Sequence, residues 1–291
     1  MGYRYALCSI EGKESFVGDV DFDGAVVRQL KWKDTGELVT SIFSVIEHAD
    51  RSIQRSNEAI GLNRVKLLAP LKERDVLAVG KNYFDHAKEF NSSGFDASDK
   101  VDTPSHPVIF TKRHTSVIGP GERIYLHPEV TETVDYEGEI GVIIGKPTYK
   151  VAEQHAMDFV WGYTIINDVT AREKQRDHKQ FFIGKSLDTF CPMGPLAVSK
   201  EDLPKTLHIK THVNGELRQS GSLSDLIFSI PKLIEVLSAG ITLQPGDVIA
   251  TGTPAGVGIG FNPPIYLKDG DNVQISVSGL GTLSNFASAT Y

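Results

Sequence analysis

The chain has 291 residues, 40% hydrophobic and 23% charged, the makeup of a globular protein with room for one large domain or two. Thirty Lys plus Arg against 37 Asp plus Glu leave a net charge of −7, which argues against a nucleic-acid or anionic-membrane partner, since either needs a basic face. No apolar run approaches the ~20 residues of a bilayer span, and MGYRYALCSIEGKESF has neither a signal-peptide core nor a transit pattern. With two distant cysteines, Cys8 and Cys191, a reducing, cytoplasmic address is expected, in preference to a mitochondrial one.

In chain order, YRYALCSIEGKESFVGDVDFDGAVVRQL alternates short apolar runs with Gly and Asp turns and predicts antiparallel strands. SIFSVIEHADRSIQRSNEAIG carries Ile42, Val45, Ile46 and Ala49 at helical spacing and predicts a helix closed by Gly61. Together these make a small N-terminal α/β domain over residues 1–70, ending at the connector KLLAPLKERD. A second, strand-dense domain follows over 71–291. GKNYFDHAKEF predicts a helix carrying His86 and Glu89, and FNSSGFDASDKVDTPSHP, residues 90–107, predicts a long loop. VIFTK, EIGVIIG, WGYTIIND, GPLAV, HIKTHV, DVIATG and NVQISVSGLGTLSNFAS read as strands. Asn214-Gly215 in VNGEL marks a type I′ hairpin. IPKLIEVLSAG is a helix with Pro231 in its first turn.

Chemistry concentrates in a few stretches. In VDYEGEIGVIIG, Glu137 and Glu139 alternate at the head of an apolar strand, so both carboxylates leave the same face. Such a pair repels and loses water unless a cation or hydrogen-bond donors compensate. Asp168 ends the strand of WGYTIINDVTAREKQ, where it either caps a following helix or joins the two glutamates. If that helix forms, Arg172 and Gln175 share one side of it, and both can bind a carboxylate or a polarised carbonyl. Three carboxylates without His or Cys suit a hard cation such as Mg2+ or Mn2+ better than zinc. His86 and Glu89, spaced i, i+3, have the composition of an oriented base, or else lie on a solvated helix. Lys185 in FFIGKSLDTFCPMGP stands where a desolvated ammonium steadies an oxyanion. IATGTPAGVGIG follows a strand but runs into FNPPIY instead of a helix, so it is no nucleotide loop; it reads as a tight turn whose amides and Thr253 hydroxyl face a ligand.

Taken in order, VGKNYFDHAKE, VDYEGEIGVIIGK, NDVTAREKQ, GKSLDTFCPMGP, VNGELRQSG and QPGDVIATGTPAGVG resemble the fumarylacetoacetate hydrolase superfamily over residues 75–291. Within it, LDTFCP and PPIYLKDGD are most similar to the fumarylacetoacetate hydrolase domain-containing protein 2 branch. The resemblance implies a β-rich α+β fold whose large mixed sheet rolls around the site, usually in a homodimer. It implies a catalytic Mg2+ or Mn2+ on Glu137, Glu139 and Asp168, with Ca2+ as a crystallisation substitute. It also implies a water-activating or proton-moving dyad of His86 and Glu89, assistance from Lys185, and substrate contacts by Arg172, Gln175 and Thr253. The implied activity is hydrolysis of a carbon-carbon bond in a small β-diketo acid such as an acylpyruvate. Oxaloacetate tautomerase or decarboxylase is the alternative on the same metal site, and a catalytically silent small-acid-binding homodimer is the alternative of another class. Two departures touch the substrate side. Glu173 stands where members usually have Asp, and the interval from Arg172 to Lys185 is shorter than in the branch. Residues 90–107, longer than expected, would form a lid over the dyad.

Overall fold

A computed structural model describes residues 2–92 and 104–291. The lid expectation for 90–107 therefore lies largely outside the described residues. Among the described residues, no helix is long and apolar enough to cross a membrane.

Two sheets dominate. The larger has 12 strands, ordered Ile53–Arg55, Val26–Trp32, Phe16–Asp21, Arg4–Ser9, Ala197–Ser199, Val160–Asn167, Gly138–Ile144, Val248–Ala250, Val76–Gly80 and Val108–Lys112, with Ile60–Gly61 and Lys66–Leu68 pairing off this path. Its pairs are antiparallel except for Val248–Ala250 against Val76–Gly80, so the sheet is mixed, as expected for the fold. The Arg4–Ser9 strand bonds to Ala197–Ser199 with Arg4 opposite Val198, so strands from before and after residue 70 share one sheet. The second sheet has five strands, ordered Arg123–Tyr125, Gly281–Ser288, Asn272–Val277, His208–Val213 and Glu216–Ser222.

The two faces of the large sheet follow the period of two of its strands. Ile140, Val142, Ile144 and Ile165 pack with Ile209, Ile275 and Leu283 of the smaller sheet. Ile143 and Ile166 face the other way, into a cluster with Leu30, Trp32, Ile42, Val45 and Ile46. The Gly138–Ile144 strand is buried along its whole length, which is why it reads as an unbroken apolar run after its glutamates.

The Asn214-Gly215 turn forms as expected, both residues having positive φ (52° and 81°) between the paired Val213 and Glu216. The Ile230–Ser238 helix is capped by Ser229, whose side chain accepts from Lys232 N–H. The helix expected up to Gly61 is shorter. It spans Ile42–Glu47, and Ile53–Arg55 instead pairs with Val26–Trp32. The polar run from His48 to Ser52 gives a longer helix no apolar face to bury, whereas Ile53 reaches the core from an edge strand.

Candidate metal centre and active site

Glu137 precedes and Glu139 follows Gly138 at the head of one central strand, and Asp168 lies one residue beyond the end of its neighbour. Gly138 pairs with Asn167, which brings those two strand ends together. Asn167 Oδ1 accepts from Glu137 N–H (3.0 Å) and Asp168 N–H donates to the Glu137 carbonyl (2.8 Å), so backbone bonds fix the third carboxylate beside the first. One oxygen from each of Glu137, Glu139 and Asp168 lies within 4.8 Å of the others, and all three residues are buried. The capping alternative for Asp168 fails. The Arg172–Asp177 helix has Ala171 at its N-cap position with no side-chain cap bond, and both Asp168 oxygens are bonded to lysines.

Gly138 explains how two sheets approach here. A Cβ on it would lie 2.2 Å from Thr211 Oγ1 and 3.2 Å from Ile275 of the smaller sheet, so only glycine admits that contact. Gln219, also on the smaller sheet, accepts from Gly138 N–H (3.0 Å) and donates to Thr253 Oγ1 (2.7 Å) and the Pro254 carbonyl (2.7 Å).

Three cations surround the carboxylates. Lys185 Nζ donates to Glu137 Oε2 (2.8 Å) and Asp168 Oδ2 (2.7 Å). Arg172 contacts Glu137 Oε1 through Nη1 (2.7 Å) and Asp135 Oδ2 through Nε (2.8 Å) and Nη2 (2.8 Å). Lys112, fully buried, donates to Asp168 Oδ1 (2.6 Å), the Val169 carbonyl (3.0 Å) and the Lys185 carbonyl. Asp135 in turn accepts from Gly258 N–H (2.7 Å) and Ile259 N–H (3.0 Å). Lys112, Asp135 and Gln219 were not singled out from sequence. Only a lone Lys in VIFTK and the Asp of VDYEGE hinted at the first two, and neither has a local partner pattern.

The electrostatics of the two glutamates diverge. Burial pushes the Glu137 carboxyl up, but Lys185 and Arg172 outweigh it and hold the group well below the usual carboxylate range. Burial, reinforced by the charges of Asp168 and Glu137, pushes Glu139 well above that range. Glu139 accepts from Gly252 N–H (2.8 Å), and among the described residues it has no ion pair. A buried carboxylate held against two others, with no cation of its own, fits the donor set of a hard divalent ion.

His86 and Glu89 lie on the Phe84–Ser92 helix, with Nδ1 and Oε2 3.3 Å apart. His86 is 5% exposed, which removes the solvated-helix alternative. A cavity of about 300 Å³ is lined by His86, Glu137, Glu139, Arg172, Gln175, Lys185 and Thr253, with Phe90, Phe110 and Phe181 as its apolar part. It thus brings together all the expected site residues except Glu89, which lies behind His86, and Asp168, which lies beneath Lys185. The IATGTPAGVGIG loop differs from expectation. Four of its amides serve the protein's own carboxylates, Gly252 on Glu139, Gly256 on Glu89 (3.1 Å), and Gly258 and Ile259 on Asp135. The Thr253 hydroxyl donates to the Gly138 carbonyl (2.9 Å) while accepting from Gln219, so its proton is already committed.

Mixed sheets around a buried carboxylate cup with an adjoining His-Glu pair define a metal-site enzyme of the fumarylacetoacetate hydrolase fold. Residues 75–286 match the family profile described as fumarylacetoacetate (FAA) hydrolase C-terminal. Oxaloacetate tautomerase YisK of Bacillus subtilis (strain 168) is 52% identical over 241 residues, 80% of this chain and 78% of that one. The structure of fumarylacetoacetate hydrolase from Exiguobacterium antarcticum aligns with TM-score 0.79 at 38% identity, covering 98% of this chain and 99% of the other. That of 2-hydroxyhepta-2,4-diene-1,7-dioate isomerase from Mycobacterium marinum aligns with TM-score 0.77 at 35% identity, covering 99% and 98%. The chain belongs to the fumarylacetoacetate hydrolase family.

Proposed function

We propose that this protein is a divalent-metal-dependent tautomerase that interconverts the keto and enol forms of a small 2-oxo dicarboxylic acid of the oxaloacetate type. The observation that carries this reading is that a three-carboxylate cup and a His-Glu pair adjoin one small cavity. The name of the Bacillus subtilis relative supports the same chemistry. It replaces carbon-carbon hydrolysis as the leading reading.

Glu137, Glu139 and Asp168 would hold Mg2+ or Mn2+, which when bound would polarise the 2-oxo group and stabilise the negative charge that develops as C3 loses a proton. Glu89 accepts the Nδ1 proton of His86, leaving Nε2 as the base facing the cavity. Nε2 takes the C3 proton, the electron pair of that bond shifts toward the 2-oxo oxygen, and a proton returned to that oxygen completes the enol. The reverse transfer gives the ketone, and nothing is gained or lost. Lys185 and Arg172 keep Glu137 ionised, Gln175 and Thr253 contact the substrate, and the three phenylalanines limit water.

A hydrolase remains the second reading, favoured by the name of the Exiguobacterium antarcticum relative. It would direct His86 and Glu89 onto a water that attacks the distal carbonyl. The test follows enol absorbance and pyruvate together, with Mn2+ and either oxaloacetate or acetylpyruvate. Accelerated loss of enol-oxaloacetate without pyruvate is expected. Pyruvate from acetylpyruvate would establish the hydrolase instead, pyruvate from oxaloacetate a decarboxylase, and no effect on any substrate would overturn all three.

A further inference from the structure

Lys81 lines the same cavity as the carboxylate cup and is almost fully buried. Its placement is costly twice over. A lysine loses the hydration of its ammonium on burial, and Lys81 has a φ of 54°, a left-handed conformation that non-glycine side chains disfavour. Strain of this kind persists only where the surroundings impose it, and it concentrates at functional sites. The surroundings do impose it here. Asn82, the next residue, accepts from Phe228 N–H (2.7 Å) and donates to the carbonyls of Phe228 (3.1 Å) and Thr251 (2.8 Å). Its own carbonyl accepts from Ile227 N–H (2.8 Å). One residue earlier, a Cβ on Gly80 would lie 3.1 Å from the Phe181 ring. The backbone of Lys81 is thus held from both sides.

The side chain is aimed as well. Nζ donates to Asn91 Oδ1 (3.0 Å) and lies 5.5 Å from the centre of the Phe90 ring, both on the helix that carries His86. The two other cations on the cavity wall, Arg172 and Lys185, each bridge two carboxylates of the cup. Lys81 sits apart from that network, on the wall shared by the Val76–Gly80 strand and the Phe84–Ser92 helix.

We propose that Lys81 is a specificity-determining residue that binds the carboxylate of the substrate farthest from the metal, selecting 2-oxo dicarboxylic acids over 2-oxo monocarboxylic acids. The inference rests on the tautomerase reading and deepens it. It predicts a preference that neither the cup nor the dyad can supply, because both act on the 2-oxo end of the molecule.

The test compares oxaloacetate with 2-oxobutanoate, which has the same carbon chain and no distal carboxylate, in binding to the Mn2+-loaded protein. The wild type is expected to favour oxaloacetate. Lys81→Met should weaken oxaloacetate binding by about tenfold or more, the size of one lost charge-assisted bond, leave 2-oxobutanoate unchanged, and leave Mn2+ affinity unchanged. Lys81→Asn, whose side chain suits the left-handed backbone, should do the same and guards against a folding defect. Equal weakening of both acids, or of neither, in either folded variant would overturn the proposal, as would a wild type that does not discriminate. If the Lys81-dependent preference is found in a protein that leaves the enol signal unchanged, the tautomerase reading fails and this assignment stands.

Discussion

Two lysine-carboxylate pairs of nearly equal length lie in opposite environments, and replacing each lysine separates burial from distance. Lys112 and Asp168 are 2.6 Å apart with both side chains at 0% exposure, whereas Lys66 and Glu122 are 2.7 Å apart at 56% and 34%. Lys112→Met leaves Asp168 Oδ1 and the carbonyls of Val169 and Lys185 without a donor in a region closed to water. Breaking a buried pair from one side costs about 3–5 kcal/mol. At about 2–3 °C per kcal/mol for a chain of this size, the thermal midpoint should fall by roughly 6–15 °C. Lys66→Met, in which solvent replaces the lost partner, should cost no more than about 1 kcal/mol. Scanning calorimetry of both variants in the metal-free protein checks this. A Lys112→Met midpoint within about 2 °C of the wild type, or equal losses for the two variants, would refute the assignment of Lys112 as a buried keystone of the cup.

Glu139→Gln and Asp168→Asn should each abolish Mn2+ binding measured by titration calorimetry; full affinity in either would contradict the three-carboxylate assignment. His86→Ala should leave Mn2+ affinity intact and slow turnover by about 10²–10⁴, the usual worth of a positioned base, and an unchanged rate would reduce the pair to a structural one. Gly215→Ala, at a φ of 81° with open space around it, should destabilise by about 1 kcal/mol through backbone conformation alone, read from its denaturation midpoint. Burial pushes the thiols of Cys8 and Cys191 up to about 12. With folded values above the unfolded ones, their contribution to stability is complete below about pH 8.5 and is lost as pH rises toward 12. Both thiols should therefore resist a thiol reagent at pH 8 in the native protein and react on unfolding; prompt reaction in the native state would contradict their burial.

What was legible in the sequence is what local spacing encodes. Alternation placed Glu137 and Glu139 on one face, i, i+3 spacing joined His86 to Glu89, and Asn214-Gly215 specified a hairpin. The unseen part is held by partners far away in the chain. Lys112 reaches Asp168 across 56 positions and Asp135 reaches Arg172 across 37, and no periodicity reports such pairs. The same limit explains the glycine loop. Its composition announced exposed amides but could not say that the takers would be Glu89, Asp135 and Glu139. The shortened first helix failed for the converse reason, since a few apolar residues at helical spacing do not outweigh an edge strand that buries Ile53.

The loop from Gly252 to Ile259 lacks strand or α-helix over most of its length, yet its amides are anchored on three carboxylates that belong to separate parts of the chain. It behaves as a tie-bar written in coil. The helix carrying Glu89, the head of the central strand and the Asp135–Arg172 pair are lashed to one short segment, so none of them can drift without pulling on the rest. Its amide hydrogens therefore belong with those of the core strands in their rate of exchange with solvent, and not with those of an ordinary surface turn.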